Sequence, residues 1–120
     1  MAVQRLHVAK RFSEIAISGN LVHLAGQLAS DFSLAIKGQT QQIFVFIDQF
    51  LADAGTDKSH IMSVTIYLKD IEKDYAAFNE VWDAWVADIE ALPRTCVEAK
   101  LYDPNVLVEL TVVAVKPDTQ

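Results

Sequence analysis

Few residues in this 120-residue chain have types and spacing suited to chemistry, and they gather late, at Pro93-Arg94-Thr95-Cys96 and at Glu109. Arg94 follows a proline at the start of a predicted strand, where a loop end opens onto a sheet. Its guanidinium is a planar fork that pairs bidentately with a carboxylate; a structural salt bridge or a helix-end cap is the alternative reading. Glu109 is a charged residue inside the run VLVELTVVAV. A carboxylate there needs a partner, or its pKa rises to keep it neutral. If strands 95–101 and 106–115 pair as a hairpin, paired positions sum to an odd number, so 94 and 96 share a face with 109. The expectation is that Arg94, Cys96 and Glu109 line one pocket. Cys96 has no histidine within sequence reach, so it reads as a small buried thiol rather than a nucleophile.

Other chemistry finds little support. His7, His23 and His60 stand far apart and show no metal-ligand spacing with cysteine or carboxylates. No GxxxxGK[ST], GxGxxG or GxSxG run occurs, which removes the P-loop, dinucleotide and nucleophile-elbow readings. Trp82 and Trp85 lie on an apolar helical stripe and read as core or interface packing.

These residues must be positioned by a small set of elements. A short first strand covers Val3 to Val8. Ser18-Gly19-Asn20-Leu21 separates the apolar runs EIAIS and LVHLAG, a hairpin signal. Leu28 to Lys37 reads as a loop. Ile43, Phe46, Ile47, Phe50, Leu51 and Ala54 make the stripe of a helix over Gln39 to Ala54, stopped by Gly55; Phe44 and Val45 lie off it. Ser59 to Leu68 reads as a strand. A second helix over Asp74 to Glu90, capped by Asp70 or Asp74, carries Phe78, Val81, Trp82, Trp85, Val86 and Ile89 and ends before Pro93. Two strands, 95–101 and 106–115, close the chain. The order β-β-β-α-β-α-β-β predicts an α+β domain spanning residues 1–120, a mixed sheet with two helices on one face. The other face, with the last strand apolar on both sides, is the expected outlet for surplus apolar surface.

Composition bounds the function. Hydrophobic residues make up 52% of the chain, a rich supply for so small a core, and subunit association is one place to put them. Ten Lys and Arg against sixteen Asp and Glu leave a net charge of −6, which argues against a binder of nucleic-acid phosphates. A single cysteine excludes an internal disulfide framework and fits a reducing compartment. No signal-like h-region and no apolar stretch of about 18 residues occurs, so the expectation is a cytoplasmic protein without membrane partners.

An ordered set of motifs carries a family resemblance. It runs through Gly19-Asn20-Leu21-Val22-His23-Leu24-Ala25-Gly26-Gln27, Gln39-Thr40, Leu51-Ala52-Asp53-Ala54-Gly55, Thr65-Ile66-Tyr67-Leu68-Lys69-Asp70, Asn79-Glu80-Val81-Trp82, Pro93-Arg94-Thr95-Cys96-Val97 and Val108-Glu109-Leu110. Over nearly its whole length the chain resembles the YjgF/YER057c/UK114 family, also called the RidA or reactive intermediate deaminase family, and its Trp82-Asp83-Ala84-Trp85 wording looks like a bacterial paralogue branch. The resemblance implies a chorismate-mutase-like α+β fold and a homotrimer with pockets between subunits. It implies hydrolysis of 2-imino acids and their enamine tautomers, of the 2-iminobutanoate and 2-iminopropanoate type, to 2-keto acids and ammonia, without metal or organic cofactor. By the same resemblance Arg94 grips the substrate carboxylate and Glu109 positions or activates water. Cys96, Gly26 and Asn79 line the pocket, and Phe12 stands where the archetype has a tyrosine. Ala25 replaces a serine. Phe12 and Ala25 together motivate a second reading, a non-catalytic protein that binds a small keto or amino acid on the same scaffold. Ribonuclease activity, attached to some relatives, is opposed by the charge of −6.

Overall fold

A computed structural model describes residues 2–117. Strands β1 (Gln4–Val8), β2 (Ser13–Ser18) and β3 (Leu21–Gln27) come first, then helix α1 (Ile36–Asp53), strand β4 (Ile61–Leu68), helix α2 (Ile71–Trp85), and strands β5 (Arg94–Glu98) and β6 (Val108–Val115). They form one six-stranded sheet in the order β1-β2-β3-β6-β4-β5. Only the β4–β5 pair is parallel. Both helices contribute buried residues to a single core with the sheet, so the α+β architecture expected from the element order is the one observed.

Local sequence explains the element ends. Ser18 pairs with Leu21 across a two-residue loop, and Gly19 takes the positive φ of 60° that a loop with glycine first requires. Helix α1 closes in a Schellman arrangement: Thr56 N–H donates to the Leu51 carbonyl and Gly55 N–H to that of Ala52, with Gly55 at φ 87°. Helix α2 begins at Asp70, whose carboxylate accepts from the Lys73 backbone N–H at 3.1 Å. That bond satisfies a donor with no intrahelical partner. Asp70→Ala is expected to lower stability by about 1 kcal/mol, measured by chemical unfolding at fixed protein concentration, with Asp70→Asn close to the parent.

Several boundaries differ from those expected, among them the last two strands, which run Arg94–Glu98 and Val108–Val115 rather than 95–101 and 106–115. Helix α1 starts at Ile36, inside the expected loop, because the fully buried Gln39 holds its first turn: its amide donates to the carbonyls of Leu34 and Asn105 and accepts from Leu107 N–H. Ser59 and His60 belong to a 3₁₀ turn (Lys58–His60) rather than to β4. Helix α2 spans Ile71–Trp85, not Asp74 to Glu90, and ends well before Pro93. Lys58 Nζ donates to the Trp85 carbonyl at 2.6 Å, capping the helix end where a cation is favoured. The largest difference is in the sheet. β5 and β6 are not a hairpin; β4 lies between them, parallel to β5 and antiparallel to β6.

The faces of the sheet are unlike one another. Along β6, Val108, Leu110, Val112 and Ala114 are buried against the helices, while Glu109, Thr111, Val113 and Val115 are half-buried on the other side. That second face is mixed rather than apolar. Thr65 opposes Thr111, Tyr67 opposes Glu109, and Val113 lies between Ser63 and His23. The apolar surplus goes instead to the helix-covered side, where Phe44, Phe78, Trp82 and Trp85 form one aromatic cluster with Phe44 stacked on Trp85 at 4.2 Å. The tryptophans are therefore packed, as expected.

Candidate active site

Arg94 opens β5 directly after Pro93, opposite Val64 of β4, which is itself opposite Val112. Both valines are buried under the helices, so the Arg94 side chain rises on the helix-covered face, at the edge of the sheet. There α2 meets it. Nη2 donates to Asn79 Oδ1 at 2.8 Å and to the Tyr75 hydroxyl at 3.3 Å, and the guanidinium lies 5.0 Å from the Trp82 ring centroid. The cation is half-buried. It takes part in none of the ion pairs among the described residues, and its Nη1 is buried with no hydrogen-bond partner among them. A desolvated guanidinium with donors to spare is costly unless an anion completes it. Neither the salt-bridge nor the helix-cap alternative describes this arrangement; it fits an anion-binding fork held by Asn79.

Cys96 lies two residues on, on the same face. Burial pushes its thiol pKa up and Arg94 pulls it only partly back, which keeps the sulfur protonated and a poor nucleophile.

Glu109 does not join them. It opposes Tyr67, which in turn opposes Val97, and these positions are three residues removed from the Val64–Val112 pair. Because side chains alternate along a strand, Glu109 points to the face away from Arg94 and Cys96. The single pocket inferred from a 95–101/106–115 hairpin is thus corrected, since β4 intervenes and changes the parity. Two strand spacings across and three residues along put the α-carbons of Arg94 and Glu109 about 14 Å apart. Gly26 stands beside Glu109: a β-carbon added there would lie 2.1 Å from Glu109 Oε2. Glycine makes room for the carboxylate. A register shift between Leu24 and Gln27 bends β3 at this point.

Desolvation raises the Glu109 pKa. A carboxyl whose folded pKa exceeds its unfolded one holds a proton in the folded state, so its stabilising contribution is complete below the unfolded pKa and is lost as pH rises through the folded pKa. Glu109→Gln is expected to remove this loss. The variant should gain stability relative to the parent on going from pH 4 to pH 8, measured by denaturant unfolding across that range; a difference independent of pH would contradict the assignment.

Phe12 is 53% exposed and, with Gly26, Phe46 and Phe50, borders a cavity of about 220 Å³. The structure therefore divides the six residues named from the sequence into two groups, Arg94-Cys96-Asn79 on one face and Glu109-Gly26 on the other, with Phe12 bordering the same cavity as Gly26. The sequence reading misses Tyr75 and the second role of Trp82 as an Arg94 neighbour, because both look like ordinary helix residues. Phe46 and Phe50, on the apolar stripe of α1, are only half-buried.

Asp57, Ser59 and His60 bring the residue types of a hydrolytic triad together, but in the wrong connectivity. Ser59 N–H, Ser59 Oγ and His60 Nδ1 all face the same Asp57 Oδ1, an arrangement that caps the 3₁₀ turn. Among the described residues no group of three or more His, Cys, Asp or Glu side chains is placed to hold a metal ion, and no helix is long and apolar enough to cross a membrane.

Fold and site together define an α+β protein that carries, on one sheet face, an arginine fork without an ion-pair partner among the described residues and, on the other, a desolvated glutamate. The chain belongs to the endoribonuclease L-PSP family, whose sequence pattern matches residues 2–116. It is 43% identical over 112 residues to a RutC family protein of Haemophilus ducreyi, covering 93% of this chain and 95% of that one, and 34% identical over 114 residues to the RutC family protein YoaB of Escherichia coli, covering 95% and 98%. Its fold superposes with a TM-score of 0.94 on a crystal structure of a YjgF-family protein from Neisseria meningitidis, at 38% identity and with 99% of this chain and 98% of that chain covered. The chorismate-mutase-like YjgF fold and the family resemblance read from the motifs both hold.

Proposed function

We propose that the protein hydrolyses 2-imino acids and their enamine tautomers to 2-keto acids and ammonia, with 2-iminobutanoate and 2-iminopropanoate as reference substrates, at sites shared between the subunits of a homotrimer. The observation that carries this reading is the half-buried Arg94 guanidinium, which has no carboxylate partner among the described residues and one N–H donor unused. A fork of this kind is matched by a substrate carboxylate.

The chemistry asks little beyond placement. The carbon of a protonated imine is already electrophilic; water adds to it to give a carbinolamine, which expels ammonia and leaves the ketone. Arg94 fixes the carboxylate and so orients the C=N bond, an entropic contribution of several kcal/mol. Glu109 accepts the proton of the attacking water and returns it to the departing nitrogen. Its raised pKa suits that exchange better than the pKa of a solvated glutamate would, and moves the acid limb of the rate profile upward. A small imino acid spans a few ångströms, whereas Arg94 and Glu109 of one chain are about 14 Å apart on opposite faces. A site that uses both therefore draws them from two copies. This requirement supports the cyclic trimer, in which each interface joins the Arg94 side of one copy to the Glu109 side of the next.

The test is release of keto acid and ammonia from imines generated in situ by an amino-acid oxidase. A rate no higher than the spontaneous one would end the proposal, as would a solution mass other than three times the 13.3 kDa subunit. RNA cleavage, which the family description names, is a poorer fit: ten Lys and Arg are scattered among sixteen acids, and phosphate-backbone binding needs them clustered.

A further inference from the structure

Arg94 Nη2 carries two hydrogens and makes two hydrogen bonds, to Asn79 Oδ1 at 2.8 Å and to the Tyr75 hydroxyl at 3.3 Å. A guanidinium grips a carboxylate bidentately along one of two edges, Nε with Nη2 or Nη1 with Nη2. Nη2 belongs to both. Whichever edge a carboxylate takes, it therefore needs an Nη2 hydrogen that a neighbour on α2 already holds.

The two neighbours are unequal. Asn79 is half-buried and its contact is short; Tyr75 is 43% exposed and its contact is the longer one. A carboxylate is also a stronger acceptor for a guanidinium than a neutral phenol is. The Tyr75 bond is thus the one that an anion displaces. A hydroxyl, unlike the Asn79 carbonyl oxygen, can reverse its role from acceptor to donor by turning about its C–O bond. Tyr75 has no other hydrogen-bond partner among the described residues, so its O–H hydrogen is uncommitted, and the nearby guanidinium polarises it as a donor. The inference rests on the reading of Arg94 as a carboxylate site. We propose that Tyr75 is a further substrate-binding residue of that site: its hydroxyl yields Arg94 Nη2 to the incoming carboxylate and then donates to it, so that guanidinium and phenol hold the anion together.

The sign of one substitution separates this role from a structural one. A Tyr75 that only tethers Arg94 competes with the ligand, so Tyr75→Phe would leave carboxylate affinity unchanged or raise it. A Tyr75 that donates contributes a hydrogen bond to a charged group, and its loss lowers affinity about tenfold or more. Phenylalanine keeps the ring, whose centroid lies 5.8 Å from the guanidinium carbon, so that packing is held constant. The effect is also selective. A carboxylate accepts from every donor that converges on it, whereas the neutral amide of the same acid turns an NH₂ group toward those donors.

Calorimetry with pyruvate and its neutral amide, pyruvamide, on the parent, Tyr75→Phe and Arg94→Ala measures binding apart from turnover. Steady-state kinetics with 2-iminobutanoate generated in situ measures turnover. Tyr75→Phe is expected to bind pyruvate about tenfold or more weakly with pyruvamide little changed, and to raise KM with kcat nearly constant, because the carboxylate is held alike before and during the reaction. Unchanged or tighter pyruvate binding by Tyr75→Phe, with binding lost in Arg94→Ala, overturns the role of Tyr75 and leaves the Arg94 site intact. An equal loss for pyruvate and pyruvamide overturns it too, since a distorted site weakens both. Selective weakening without turnover of any imine overturns the deaminase reading and keeps Tyr75. Should the parent turn over imine but bind pyruvate too weakly to measure, a raised KM in Tyr75→Phe supports the role and an unchanged KM overturns it. Neither binding nor turnover by the parent overturns both.

Discussion

Arg94→Ala is expected to lower kcat/KM for 2-iminobutanoate by about 10²–10³-fold without lowering stability. The loss combines two contributions. A charge-assisted hydrogen bond to a carboxylate is worth about 1.5–3 kcal/mol, and a substrate held loosely at that end loses the orientation that makes addition fast. Arg94→Lys should recover little, because an ammonium keeps the charge but not the planar fork. Folding should respond differently. The guanidinium is half-buried, with Nη1 unpartnered among the described residues, so its removal relieves desolvation while losing the contacts to Asn79 and Trp82. Stability is expected to hold within about 1 kcal/mol or to rise. A structural arginine would show the reverse pattern, with a large loss of stability and activity falling only in proportion to the folded fraction.

The same variant tests where the site lies. Arg94→Ala and Glu109→Gln chains, each inactive alone, are expected on co-refolding at equal amounts to recover about a quarter of parental activity, since in a closed ring about one interface in four then combines an intact Arg94 with an intact Glu109. No recovery would mean that both residues act from one chain, which a separation of about 14 Å through the sheet does not favour.

The second large effect concerns the core. Phe44→Ala is expected to cost about 3–5 kcal/mol and to lower Tm by more than about 10 °C, while Val45→Ala next to it stays within about 0.5 kcal/mol. Phe44 is 4% exposed and touches Phe78, Trp82 and Trp85, so its removal leaves a cavity between the helices that three rigid rings refill poorly. Val45 is 65% exposed. Denaturant unfolding at one protein concentration measures both. A Phe44→Ala cost below about 1.5 kcal/mol would show that the aromatic cluster relaxes around the gap.

These two neighbours also mark the limit of a periodicity argument. Both lie off the α1 stripe of Ile43, Ile47 and Leu51, and nothing local separates them. Phe44 is buried because α2 packs on that flank and brings Trp85 within 4.2 Å; the flank of Val45 has no such cover. Helix α2 behaves likewise. Its stripe through Phe78, Trp82 and Trp85 is legible, but its end at Trp85 depends on Lys58, which reaches the Trp85 carbonyl from the turn before β4.

What the sequence determines by itself is local or compositional. The glycine turn at Gly19, the stop at Gly55, the two amphipathic helices, the oddity of Glu109 in an apolar strand and the availability of one arginine after a proline all follow from residue type and spacing. An ordered set of such motifs suffices to recognise the family. Which residues share a face is another kind of question, because strand order is set by long-range packing and not by the segment that carries the strand. Inserting β4 between β5 and β6 sends Glu109 to the side of the sheet opposite Arg94 and Cys96. Under the function proposed above they are the two halves of one site, and the sheet decides that one chain holds those halves apart. The physical reason is the two-residue period of a β-strand: alternation along each strand is local, but a face is shared only between strands that pair, and pairing belongs to the whole fold.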